Sequence, residues 1–148
     1  MTIKLQNNHK DLMILVQYLK DVDEDFLIPL SQKTDLVSFA SKILTYGHAY
    51  MEKLDDEFVG LVTFYCNDNK TLKANFSILS VKSKARGMGL SKQLVGKAIN
   101  TCRFYGMKKI QLDTVNPVAK VLYKSLGFNV FKTENSELGR KEYFELIL

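Results

Sequence analysis

One stretch, Lys84-Ala85-Arg86-Gly87-Met88-Gly89-Leu90-Ser91, constrains this chain more than any other. The apolar run Phe76 to Val81 stops short of it, and from Leu90 to Phe104 apolar residues recur with the period of a helix. The stretch is therefore a strand-to-helix turn that carries two glycines and two cations. Such a turn leaves backbone N–H groups without intrachain partners and aims them, with the positive end of the helix dipole, at one point. Glycine lets the oxygens of an anion approach those groups with no Cβ in the way. A phosphate or pyrophosphate site is expected here. Taken alone, a plain glycine-rich helix cap remains the competing reading.

What the stretch lacks narrows the ligand. A dinucleotide fingerprint needs a third glycine, and Lys92 stands in its place. A triphosphate loop needs Gly-Lys followed by Ser or Thr, and no such tripeptide occurs. The net charge of +5 would suit any acidic partner. Its lysines are scattered, however, and no basic segment is interleaved with aromatics, so a small phosphorylated ligand fits better than nucleic acid. No apolar run approaches the ~20 residues of a membrane span. With 46% apolar and 25% charged residues, the 148 residues read as one soluble domain, 1–148. Cys66 and Cys102 have no metal-ligand spacing and suggest no disulfide framework; with no export signal at Met1 to Gln6, a cytoplasmic setting is expected.

In chain order, Thr2 to Leu5 reads as a short strand and Asp11 to Lys20 as an amphipathic helix. The acidic run Asp21 to Asp25 leads into an apolar loop, Phe26 to Ser31, where Pro29 bars a regular helix. A second helix spans Leu36 to Tyr46. Strands at Ala49 to Lys53, Phe58 to Tyr65 and Leu72 to Leu79 follow without helical crossovers, hence antiparallel. The helix from Leu90 then leads to a strand over Lys109 to Val115, which makes a right-handed crossover between parallel neighbours. Asn116-Pro117 opens another helix, stopped by Gly127. Phe128 to Phe131 and Glu142 to Ile147 form a closing hairpin around Asn135 to Arg140. The architecture is α+β: a mixed, mostly antiparallel sheet of six to seven strands flanked by about four helices.

Together, Lys84-Ala85-Arg86-Gly87-Met88-Gly89, then Asn116, Ala119 and Tyr123, then Leu126-Gly127-Phe128 resemble the GNAT superfamily of acetyl-CoA-dependent N-acetyltransferases. The match covers roughly Glu57 to Lys132. Lys84 departs from the Gln or Arg usual at its position. The resemblance implies acetyl-CoA as co-substrate, no metal, and two parallel strands that splay apart around the coenzyme. Pantetheine would pair with Leu79 and Val81, and pyrophosphate would sit on the N–H groups of Arg86, Gly87, Gly89, Leu90 and Ser91, with Lys84, Asn116 and Tyr123 also counted among the coenzyme-binding residues. Tyr123 would serve as acid toward the sulfur and Asp113 as base.

Residue chemistry is consistent with those roles. Transfer to an amine needs a neutral nucleophile, donors for the oxyanion, and a proton or hydrogen bond for the departing thiolate. Asn116 and Tyr123 are seven apart, on one helix face, with the small Ala119 between them. A lysine-like amine is less than about one part in a hundred neutral at pH 7, whereas one of pKa near 8 is about a tenth neutral. The lack of a base dyad therefore favours a low-pKa amine, such as that of an amino sugar or sugar nucleotide. Phe26 to Ser31, Asp35-Leu36 and Phe64 to Asp68 loosely resemble a GNAT subgroup associated with surface-polysaccharide gene clusters. That likeness implies an acceptor pocket including Phe26, Leu30, Tyr65 and Asn67. Protein or peptide N-acetylation and a non-catalytic CoA-binding module are the alternatives. The expected partner is a small-molecule amine, with no nucleic acid and no membrane, and the chain is expected as a monomer or homodimer.

Overall fold

Seven strands form one sheet, the inner ones on β-branched and aromatic runs: β1 (Thr2–Lys4), β2 (His48–Leu54), β3 (Glu57–Tyr65), β4 (Lys73–Val81), β5 (Lys109–Thr114), β6 (Asn129–Ser136) and β7 (Gly139–Ile147). The computed structural model describes all 148 residues. Spatial order is β1-β2-β3-β4-β5-β7-β6, and only β4 and β5 run parallel. The mixed sheet is the architecture expected from the sequence.

Helices cover both faces. On one, α1 (His9–Val22) and α3 (Leu36–Tyr46) bury Leu15, Leu19 and Ile43 against Met51, Leu61 and Ile78. On the other, α4 (Leu90–Phe104) and α5 (Pro117–Ser125) lie over Val62, Phe64, Ile110 and Phe144. β3 is covered on both sides, which is why Val59 to Phe64 is an unbroken buried run. Side-chain caps fix three helix starts: Asn8 accepts from the Asp11 N–H at 2.8 Å, Asp35 from Ser38 at 2.8 Å, and Asn116 from Val118 at 2.9 Å.

Three local features differ from the sequence expectation. Directly after Pro29 the chain makes a helical turn, α2 (Leu30–Lys33), because proline obstructs only the turn before it. Both Ser31 N–H and Oγ bond the Asp23 carboxylate, at 2.9 and 2.5 Å, which pins that turn. The closing hairpin is tighter than expected, with β6 running to Ser136 and β7 starting at Gly139. Nothing covers β6, so its polar side chains hide the strand from any apolar pattern.

β4 also continues past Leu79 to Val81, and Ser77 bulges out between Phe76, opposite Phe64, and Ile78, opposite Thr63. The extra residue puts Phe76 and Leu79 on the α4 side and Ile78 on the α1 side. Finally, Cys66 and Cys102, 36 positions apart, lie side by side as free thiols.

Candidate active site

The site begins where two parallel strands part. β4 and β5 pair only from Lys73 with Lys109 to Asn75 with Gln111, and beyond that they separate. Lys82 N–H bonds the Val59 carbonyl on the β3 side at 2.8 Å. Since backbone groups alternate sides along a strand, those of Leu79 and Val81 face the open side. A cleft of about 980 Å³ occupies the gap. Leu79, Ser80 and Val81 form one wall, α4 from Leu90 to Ile99 another, and α5 a third through Asn116, Val118, Ala119 and Leu122. Asp25 and Phe26 add to the lining, and Ser125 and Leu126 line the α5 side.

At the mouth stands the glycine turn. Gly87 and Gly89 have φ of +83° and +76°, and Gly89 caps α4 in the left-handed conformation. A Cβ on either would meet no protein atom within 4 Å, so the space in front of them is free. The amides from Gly87 to Lys92 have no backbone or side-chain acceptor, and the first α4 bond that reaches back is Gln93 N–H to Gly89 O at 3.2 Å. Unpaired donors, a helix dipole and open approach coincide here, and that is the geometry of an anion site.

Charge is sorted around this mouth. Arg86 and Lys92 line the cleft, neither paired with a carboxylate. Arg86 Nε donates to the Val81 carbonyl at 3.1 Å. Lys82 and Lys84 are engaged elsewhere: Lys82 lies 3.5 Å from Asp21 and 3.7 Å from Glu57, and Lys84 pairs with Glu57 outside the cleft. The Lys84 ammonium holds the Glu57 carboxyl below the usual carboxylate range. Asp25 is the one carboxylate of the wall. The buried Tyr18 hydroxyl, which feels the charges of both Asp25 and Arg86, lies 3.1 Å from Ser80 Oγ, and burial pushes its pKa up to about 12.

Of the sequence-derived residues, the cleft gathers Leu79, Val81, Arg86, Gly87, Gly89, Leu90, Ser91, Asn116 and Phe26. Tyr123 sits just behind the α5 wall, 8% exposed, its ring 5.5 Å from Phe128 and 5.9 Å from Phe144. Its hydroxyl has no hydrogen-bond partner, yet it is not among the sealed-off polar atoms, of which Thr63 Oγ1 is the sole case. Burial raises its pKa above the ordinary tyrosine value. Asp113 is on the sheet face away from α4 and pairs with Lys141 at 3.1 Å. Tyr65 and Asn67 lie at the other end of β3, since Tyr65 pairs with Asn75 while Gly60 pairs with Val81. Five residues of strand, about 17 Å, separate the two ends. Leu30 packs in the core under α1 rather than in the cleft.

Sequence reasoning missed Asp25, Ser80 and Lys92. Lys92 alone carried a signal, as a cation in the first turn after the glycines.

A sheet opened between two parallel strands, with a helix start that no side chain caps at its mouth, defines a protein that holds an elongated anionic cofactor. A profile of the acetyltransferase (GNAT) family matches residues 15–128, and the chain belongs to that family. It is thereby an acetyl-CoA-dependent N-acetyltransferase. Solved structures share the fold. An aminoglycoside 6'-acetyltransferase type Ii superposes with TM-score 0.80 at 16% identity, covering 99% of this chain and 96% of that one. The ribosomal-protein-S18-alanine N-acetyltransferase from Escherichia coli gives 0.75 at 17%, covering 99% and 94%. A GNAT acetyltransferase from Elizabethkingia anophelis with acetyl-CoA bound gives 0.63 at 18%, covering 75% and 82%. Comparison with curated protein sequences finds no match. Among the side chains no His, Cys, Asp and Glu cluster could hold a metal, and no helix is long and apolar enough to cross a membrane.

Proposed function

We propose that this chain transfers the acetyl group of acetyl-CoA directly to the primary amine of a small molecule within a ternary complex. The observation that carries the reading is the unpaired amide run from Gly87 to Lys92 at the open end of the β4–β5 gap. The pyrophosphate would rest on those amides, flanked by Arg86 and Lys92. Pantetheine would run along the open backbone edge at Leu79 and at the N–H of Val81, whose carbonyl already accepts from Arg86, and over the apolar flank of α5. The thioester then comes to the part of the cleft backed by Tyr123, whose phenol would hydrogen-bond the departing sulfur.

The amine would approach past Asp25 and Phe26, where a carboxylate meets a half-buried aromatic. Asp25 favours a cation on arrival, so the substrate binds as ammonium and must shed its proton before attack. No carboxylate lies beside the central cleft, and Asp113 is tied to Lys141, so solvent carries the proton away. That arrangement suits an amine of depressed pKa, with an amino sugar the acceptor class to try first. Thiol release from acetyl-CoA across a panel of amino sugars, diamines and basic peptides tests the reading. Turnover with the small amines supports it, and turnover confined to peptides overturns the acceptor assignment.

A further inference from the structure

The core under α4 holds a feature that the transferase reading does not use. Cys66, directly after β3, and Cys102, in the last turn of α4, present their sulfurs to each other at 3.3 Å. Both belong to one apolar cluster with Phe64, Ala74, Phe76 and Met107. Cys102 is fully buried, while Cys66 keeps 7% exposure. The sulfurs need to close by about 1.3 Å to reach the bonding distance of about 2.0 Å. Both elements are held by the same core.

We propose that this pair is an oxidation site, which hydrogen peroxide converts into an intrachain Cys66–Cys102 disulfide clipping α4 to β3. Cys66 reacts first, because it is the less buried of the two, 7% exposed against 0%. The hydrogen bond from the Cys102 thiol also pulls the Cys66 thiol down in pKa and pushes Cys102 up. Cys66 loses its proton to water, and its sulfur attacks one peroxide oxygen. The O–O bond breaks, hydroxide leaves and is protonated to water, and Cys66 becomes a sulfenic acid. The Cys102 sulfur then attacks the Cys66 sulfur, the S–O bond breaks, and hydroxide departs with the Cys102 proton as a second water. Two thiols lose two electrons, and the peroxide is reduced to two waters.

The clip acts on stability rather than on the anion-binding end of α4. Cys102 is twelve residues beyond Leu90, roughly 18 Å along the helix from the anion-binding end. Closing a loop between positions 36 apart restricts the unfolded chain, so the oxidised protein should melt roughly 5–10 °C higher.

The test uses the full chain, freed of reductant, exposed to hydrogen peroxide and then unfolded in excess N-ethylmaleimide for intact-mass measurement. Untreated protein should take two adducts. Oxidised protein should take none, weigh about 2 Da less, and recover both adducts after dithiothreitol. Its melting point should rise in the same samples. In Cys102→Ala the rise should vanish, and a dimedone probe should trap the Cys66 sulfenate. Should that variant fold poorly, Cys102→Ser keeps the size of the side chain and must give the same result. Two adducts surviving oxidation, oxygen added to Cys66 without loss of Cys102, or disulfide-linked pairs of chains would each overturn the proposal.

Discussion

Arg86 bends back along its own turn so that its Nε meets the carbonyl of Val81 at 3.1 Å. The contact occupies one acceptor of the free β4 edge and holds the rest of the guanidinium at the cleft mouth. Arg86→Ala should therefore weaken CoA binding about tenfold, or about 1.4 kcal/mol. Arg86→Lys should recover only part, because an ammonium cannot both reach Val81 and fork toward a phosphate. Calorimetry with CoA checks this, and equal affinity in the alanine variant would take Arg86 out of the anion site.

Two lysines separate by partner rather than by sequence. Lys84 spends its charge on Glu57 outside the cleft, whereas Lys92 lines it without a carboxylate. Lys84→Ala should leave CoA affinity within about twofold, and Lys92→Ala should lower it several-fold, with the difference shrinking at high salt. The opposite ranking would place the phosphates on the Lys84 side of the turn.

Gly89 tests the approach to the amides. No protein atom lies within 4 Å of a Cβ built there, so a side chain would obstruct the ligand and not the fold. The +76° φ adds backbone strain of about 1–2 kcal/mol for a β-branched residue. Gly89→Val should melt a few degrees lower yet remain folded, while CoA binding falls beyond detection by calorimetry. Retained affinity would show that the anion sits elsewhere.

His48 gives the acid limb of stability. It stacks 5.2 Å from Phe64, with the tilted ring of Tyr105 at 5.1 Å, and burial, helped by the Lys4 charge, lowers its pKa from 6.5. Below that value the unfolded chain binds a proton that the folded chain resists, so stability falls as pH drops through the folded value. His48→Phe keeps the stacking and removes the titration. Its melting point should change less than the wild type's between about pH 6.5 and 5. An unchanged slope would assign the acid sensitivity to other groups.

How much of this could be read from the residues depends on whether a signal was local. The glycine turn, the cap at Asn116, and the crossover from β4 to β5 all follow from short-range rules, and each is present. Placement across the sheet was not legible, because it depends on register. The Ser77 bulge reverses side-chain facing along β4, so Ser80 as a cleft residue could not be deduced by counting in twos. Tyr65 and Asn67 looked adjacent to the site in sequence but are carried to the far end by the antiparallel turn back into β4. The meeting of Cys66 with Cys102 is likewise a product of α4 crossing β3, with no trace in their spacing.

Tyr123 provides the sharpest test of the chemistry. Its ring is packed between Phe128 and Phe144, and its hydroxyl has no protein partner, so Tyr123→Phe removes one oxygen and little packing. The turnover number should drop by about a hundredfold, the scale of a lost proton donor, with CoA affinity within twofold and the melting point nearly unchanged at pH 7. Burial holds this phenol protonated above its ordinary value of 10.0. Above that pH the unfolded chain ionises its tyrosine while the folded chain does not, so the unfolded state binds fewer protons and stability falls as pH rises. The phenylalanine variant should lose part of that alkaline decline. A variant that turns over like the wild type, yet shows the flattened alkaline decline, would make Tyr123 a packing residue and leave the sulfur to be protonated by water.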